Sequence, residues 1–235
     1  MAASRLPCCA PVCMITTCVP GLWTIHLPAH PCAPCCPLQP EALSDTQRQD
    51  LADVLPYLAC GEVSAVHAFS GRLLLAVPED AQATMKAIAR DEMAHARLME
   101  ALQSCLPAAT QPPNAARLAM FFRRLESSDP AEHLGRVAAL DRAVCQVLQP
   151  LLRQGCAISQ SPAIHKALCA LRQDEARHVR MARDMARQLG LSITRQQQLN
   201  HAIRQRLQGL LEPVRPALGR LAANVNVQSP EEFLK

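Results

Sequence analysis

The chain has 235 residues, 49% of them hydrophobic but only 3% aromatic, and a formal net charge of +4. That length allows one substantial core, which must be aliphatic, and no run approaches the roughly 20 apolar residues of a membrane span. Basic and acidic side chains are interspersed rather than run together, which suits solvated helix faces and argues against a nucleic-acid groove.

Seven of the twelve cysteines (Cys8, Cys9, Cys13, Cys18, Cys32, Cys35 and Cys36) fall in the first 36 residues. Such spacing is not that of a disulfide scaffold, and it points to a reducing, cytoplasmic setting. Prolines and cysteines also interrupt the mildly apolar start, so no signal-peptide core is expected. Residues 1–43 read as an irregular, flexible leader and 44–235 as one helical domain.

Helical punctuation begins at Ser44, which forms a capping-box pattern with Gln47. Pro56 is expected in the first turn of a long helix reaching about Val77. Pro78, followed by Glu79 and Asp80, is expected to open a second, to about Leu106. "PAATQPPN" breaks the chain, and a shorter helix containing "LAMFFRRL" follows. Asp129 and Pro130 read as N-cap and first residue of a third long helix, to about Gln154, with Pro150 bending or ending it. Ser161 and Pro162 repeat that start signal for a fourth, which runs to about Gln188 and stops at Gly190. A further helix over about 193–212, a proline-interrupted tail and a capped final turn at "SPEEFLK" complete the chain. Nothing reads as strand.

Two segments repeat. "AIARDEMAHARLM" (87–99) and "ALRQDEARHVRMA" (170–182) share the pattern D-E-x-x-H-x-R. In each, the i, i+3 spacing puts a carboxylate and an imidazole on one helix face: Glu92 with His95, and Glu175 with His178. Carboxylate-bridged two-metal sites need two more acids, one from each preceding helix. Glu62 and Asp141 stand there, 30 residues before Glu92 and 34 before Glu175. Both are lone acids in apolar stretches, where an unpaired charge is costly to bury and metal coordination removes the cost. A single D-E-x-x-H is more often a solvated ion-pair face, and Asp141, with Arg142 beside it and Arg136 five residues earlier, also admits a surface role.

At these residues the chain resembles the ferritin-like di-iron carboxylate proteins, most of all their oxygen-activating branch of monooxygenases and N-oxygenases. The family motif D-E-x-R-H is complete at Asp174–His178; at Asp91–His95 it lacks only the arginine, Ala94 standing in its place. The resemblance covers about residues 55–190. It implies an all-α, ferritin-like four-helix bundle of two helical hairpins, with an extra C-terminal helix. It further implies two iron ions (manganese can replace one), held by Glu62, Glu92 and His95 and by Asp141, Glu175 and His178, with one or more carboxylates bridging. Asp91 and Asp174 would accept hydrogen bonds from the histidine N–H groups. The implied activity is oxidation or oxygenation of a small organic substrate with O2, with electrons from a separate reductase or ferredoxin; a homodimer is compatible with it. No nucleic acid and no membrane enter this reading.

Two departures bear on the specific activity. Asp141 is one methylene shorter than the usual Glu, and Leu171 stands where N-oxygenases carry a third histidine. Tyr57, the one tyrosine, is turned from the face of Glu62, unlike the tyrosine of radical-generating relatives. Val66, Phe69, Met99 and Cys145 are candidates for a pocket beside the metals or for plain core. A ferroxidase, iron-binding or peroxide-scavenging protein, and a helical interaction module without metal, remain as alternatives.

Overall fold

The computed structural model describes residues 38, 40–68 and 77–225. Residues 1–37, residues 69–76 with Phe69, and the "SPEEFLK" segment lie outside the described residues. Among the described residues the chain is all-helical, with an isolated bridge between Cys156 and Asn224 and no strand. The α-helices are α1 (Asp45–Ala68), α2 (Glu79–Ser104), α3 (Ala115–Arg123), α4 (Pro130–Leu151), α5 (Pro162–Gln188), α6 (Ile193–Leu210) and α7 (Arg215–Ala222). No described helix is long and apolar enough to cross a membrane.

Most start signals act as their chemistry dictates. The Ser44 N–H donates to Gln47 Oε1 at 2.9 Å and the Gln47 N–H to Ser44 Oγ at 3.3 Å, a complete capping box for α1. Asp129 Oδ1 accepts the Ala131 N–H at 2.9 Å, with Pro130 as the first residue of α4. Gly190 has φ of +100°, and its N–H and that of Leu191 donate to Arg187 and Ala186 at 2.9 Å each. This paired arrangement closes α5 and requires a left-handed residue, hence glycine.

Three expectations are corrected. Pro56 does not open α1 but lies inside it. A mid-helix proline forfeits one backbone hydrogen bond, yet the helix continues because Leu51, Ala52, Val54, Leu55, Tyr57 and Leu58 around it are all buried. The expected end of that helix near Val77 falls on residues 69–76, outside the described residues, and the described part of α1 ends at Ala68. Pro78 is the residue before α2, at ψ 154°, rather than its first residue. The proline-interrupted tail folds as a 3-10 turn, Glu212–Val214, and α7. Pro213 and Pro216 each fall in a first turn, where no N–H is needed. Arg220 then fastens α7 to α1 through a bidentate pair with the buried Asp50, at 2.6 and 2.9 Å.

α1 packs on α2, α4 on α5 and on α6, α2 on α5, and α7 on α1. The buried stripes of the first four long helices explain how. Along α2 the buried residues are Met85, Ile88, Glu92, His95, Met99 and Leu102, a strict i, i+3/i+4 series. Along α5 they are Ile164, Leu168, Leu171, Glu175, His178, Ala182 and Met185. In both helices apolar residues flank a polar middle. Leu51, Leu55, Met99, Leu102, Leu148 and Ile164 belong to one apolar cluster; Ala65, Met85, Ile88, Leu134, Val137 and Ala182 belong to another. The polar residues form a belt between the two.

Candidate metal centre

The belt is built from four helices, and burial selects its members. Glu62 on α1, Glu92 and His95 on α2, Asp141 on α4, and Glu175 and His178 on α5 are each at most 5% exposed. One ligand atom from each of Glu62, Glu92, His95 and Glu175 lies within 4.8 Å of the others, a cluster able to hold a metal ion. His95 Nδ1 stands 3.2 Å from Glu62 Oε2, 3.5 Å from Glu92 Oε2 and 3.1 Å from Glu175 Oε1. His178 Nδ1 stands 2.8 Å from Glu92 Oε1, and the two imidazole centroids are 5.9 Å apart. Glu92 therefore turns one oxygen to each histidine. The two triads of the sequence reading are interleaved in space, since Glu175 faces the histidine of the other triad. Asp141 does not face solvent: it is 3% exposed, and its carboxyl feels the charges of Glu175, Glu92 and Glu62.

The electrostatics are those of a crowded acidic site. Burial pushes the Glu62 carboxyl up to about 8, with Glu175 and Glu92 adding to the rise. Burial also raises Glu175, and raises Asp141 well above the usual carboxylate range. Glu92 is the exception: burial opposes its ionisation, but the close imidazoles of His178 and His95 hold it down at about 2. Burial likewise opposes a charged His95, yet Glu175, Glu62 and Glu92 together lift it to about 12. His178 is raised against burial chiefly by Glu92.

Short distances here are not good hydrogen bonds. Glu62 Oε2, Glu92 Oε1, His95 Nδ1, Asp141 Oδ2, Glu175 Oε1 and His178 Nδ1 are buried and lack a hydrogen-bond partner among the described residues. Among the described residues two further side-chain atoms share that condition, Arg172 Nε and Gln196 Oε1. Buried polar groups are almost always paired, so six orphans in one belt, one from every residue of the set, fit a cation. The donor types fit too: carboxylate oxygens and imidazole nitrogens suit iron, manganese or zinc. Four carboxylates would neutralise two divalent ions.

The outer ring nitrogens are held crosswise. His178 Nε2 lies 3.2 Å from Asp91 Oδ2 on α2, and His95 Nε2 lies 3.4 Å from Asp174 Oδ2 on α5. Each aspartate thus serves the histidine of the other helix. A carboxylate at Nε2 keeps the proton there and turns the Nδ1 lone pair inward. Sequence reasoning gave no part to Arg177, which reaches Asp91 at 2.9 Å and Asp174 at 2.7 Å. The signal was its place in D-E-x-R-H; Ala94, the counterpart in the first copy, is too short to do the same.

Of the pocket candidates, Met99 is fully buried in an apolar cluster. Cys145 is half-buried, its thiol pushed up to about 12 by burial and by the nearby Glu175 and Asp141. Val66 is also half-buried, Leu171 is buried in the core, and Tyr57 is buried on the Arg117 and Asp53 side of α1.

Compared with models of known protein families, with curated proteins and with solved structures, the chain matches none.

Proposed function

We propose that the chain is a ferritin-like di-iron oxidoreductase that uses O2 to oxidise a small organic molecule. In this reading α1 with α2 and α4 with α5 are the two hairpins of the bundle. The observation that carries it is the set of six unpartnered buried ligand atoms, contributed by two E-x-x-H helices and two lone acids.

Glu62, Glu92, His95, Asp141, Glu175 and His178 would hold the two ions; Glu92 turns one carboxylate oxygen toward each histidine. A reduced iron pair supplies the electrons for O2 reduction and the oxidising power for the substrate. The chain's own residues do the rest. Asp91 and Asp174 fix the tautomer and orientation of the two histidines, and Arg177 holds both aspartates in place through its ion pairs. The apolar layers above and below the belt exclude water and strengthen every charge interaction inside it. Cys145, close to Glu175 and Asp141, is a candidate to contact the organic substrate, and Val66, one turn after Glu62 on α1, is another. Electrons come from a separate reductase or ferredoxin.

Iron analysis of the purified protein tests the reading, with two irons per chain expected and both lost in Glu92→Ala. Reduced, iron-loaded protein is then mixed with O2 and panels of small organic substrates. Substrate-dependent O2 consumption supports an oxygenase or oxidase. Iron-dependent O2 consumption that ends in mineralised ferric product, with no substrate effect, would reassign the chain as a ferroxidase.

A further inference from the structure

α4 has a second functional face. Asp141 shares the buried face of α4 with Leu134, Val137 and Leu148. Ala139, Arg142, Ala143 and Gln146 recur at i, i+3, i+4 and i+7 on a different face. That second face meets α6 across a cleft of ≈ 230 Å³.

The cleft exists because its floor is small: Ala139 and Ala143 are both buried, and neither fills the space toward α6. Its walls are hydrogen-bond donors. Arg142 and Gln146 project from α4, and Gln197, Asn200, His201 and Arg204 from α6. None of the lining residues is acidic.

Arg136, Arg177, Arg195 and Arg220 each reach a carboxylate at 3.2 Å or closer. Arg142 and Arg204 reach none among the described residues. No acid within its own helix can serve Arg204, because α6 carries no Asp or Glu at all, and Asp141, beside Arg142 on α4, is buried in the belt. Glu132, the surface acid of α4, is already held by Arg195 and Arg136. Two like charges facing one concavity without a counter-charge repel each other, and a bound anion reverses that sign.

We propose that this cleft binds a small oxyanion, a phosphate or a carboxylate group, gripped by Arg142 and Arg204 with the carboxamides of Gln146, Gln197 and Asn200 completing its hydrogen bonds. Guanidinium groups suit both chemistries because each presents paired N–H donors to two oxygens. The site is separate from the metal belt: α4 stands between them, about 10 Å across. It is therefore not the pocket of the substrate being oxidised, and it does not depend on the metal reading.

The test is calorimetric titration of the full chain with inorganic phosphate and, separately, with citrate, at low ionic strength. Saturable binding of one of them is expected. Arg142→Gln and Arg204→Gln should each weaken it about tenfold or more, while Arg97→Gln, an exposed arginine elsewhere, should not. Unchanged metal content and circular dichroism in the two variants would show that the fold is intact. Which probe binds more tightly separates a phosphate-bearing ligand from a carboxylate. Absence of saturable binding of both probes overturns the proposal, as does binding that survives the double substitution. A poly-glutamate peptide that binds through the same two arginines, with neither small anion competing, also overturns it and assigns the cleft to an acidic protein partner.

Discussion

Asp91 on α2 lies 3.2 Å from Nε2 of His178 on α5, so the outer support of each histidine comes from the opposite E-x-x-H helix. Removing one aspartate should therefore harm the half of the centre built on the other helix. Asp91→Asn should loosen the His178 half and Asp174→Asn the His95 half, each with a loss of metal affinity of about 10- to 100-fold. Arg177→Ala should weaken both together. Metal titration resolving two binding steps checks this; equal effects of the three substitutions on both steps would contradict it.

The metal-free protein should lose stability as pH rises from about 4 to about 8. Glu62 is raised to about 8 and Asp141 and Glu175 are raised as well. The folded state then binds more protons than the unfolded chain. A raised carboxyl contributes stability that is fully present below its unfolded value and is lost as pH climbs through the folded value. Glu92, held at about 2, has the opposite sign and matters only below its unfolded range. Denaturant melts across this window, with and without metal, test the claim; loaded protein should lack the decline, because the ligands stay deprotonated on the ion.

Gly135→Ala should destabilise the fold by about 1–3 kcal/mol. A β-carbon there would collide with a methyl of Leu191 and approach Leu199 at 3.1 Å and Gln196 Oε1 at 3.2 Å. Gln196 also donates to the Gly135 carbonyl at 2.9 Å, which ties α6 closely to α4. Chemical denaturation measures the loss, and a stability equal to that of the parent would show that the crossing has slack.

Arg220→Ala should lower stability, since it leaves the buried Asp50 carboxylate without its partner. Hydrogen exchange should localise the change to α7 and the first half of α1. Asp50→Asn combined with Arg220→Ala should recover part of the stability, as both partners of the pair are then gone.

Much of this was legible in the residue order because helix ends obey local chemistry. Ser44 with Gln47, Asp129 with Pro130, and Gly190 announce their elements through groups that satisfy nearby backbone atoms. The belt residues were legible for a related reason: an acid surrounded by apolar neighbours in a helical stripe has few affordable fates. Pro56 misled because local propensity points to a helix start, whereas the burial of its neighbours is set by distant partners on other helices. α7 was hidden for the same reason; its anchor, Asp50, lies 170 residues away in the chain. Crosswise support of the histidines could not be read at all, since it depends on how α2 and α5 face each other. Arg177 illustrates the boundary: its presence in a motif was visible, while its grip on two aspartates appears only in space.

The polar belt also acts as a key for alignment. Apolar stripes such as Met85, Ile88, Met99 and Leu102 could slide one helical turn along their neighbours and still find apolar surroundings. Glu92 and His95 cannot, because a one-turn slip would press them into Leu or Met side chains at a cost of several kcal/mol per unpaired group. The same residues that could hold a metal thus index the helices against each other like a notch in a lock. Replacing the whole belt by leucine should yield a chain that is still helical but packs in several offsets, with broadened methyl resonances as the sign of lost uniqueness.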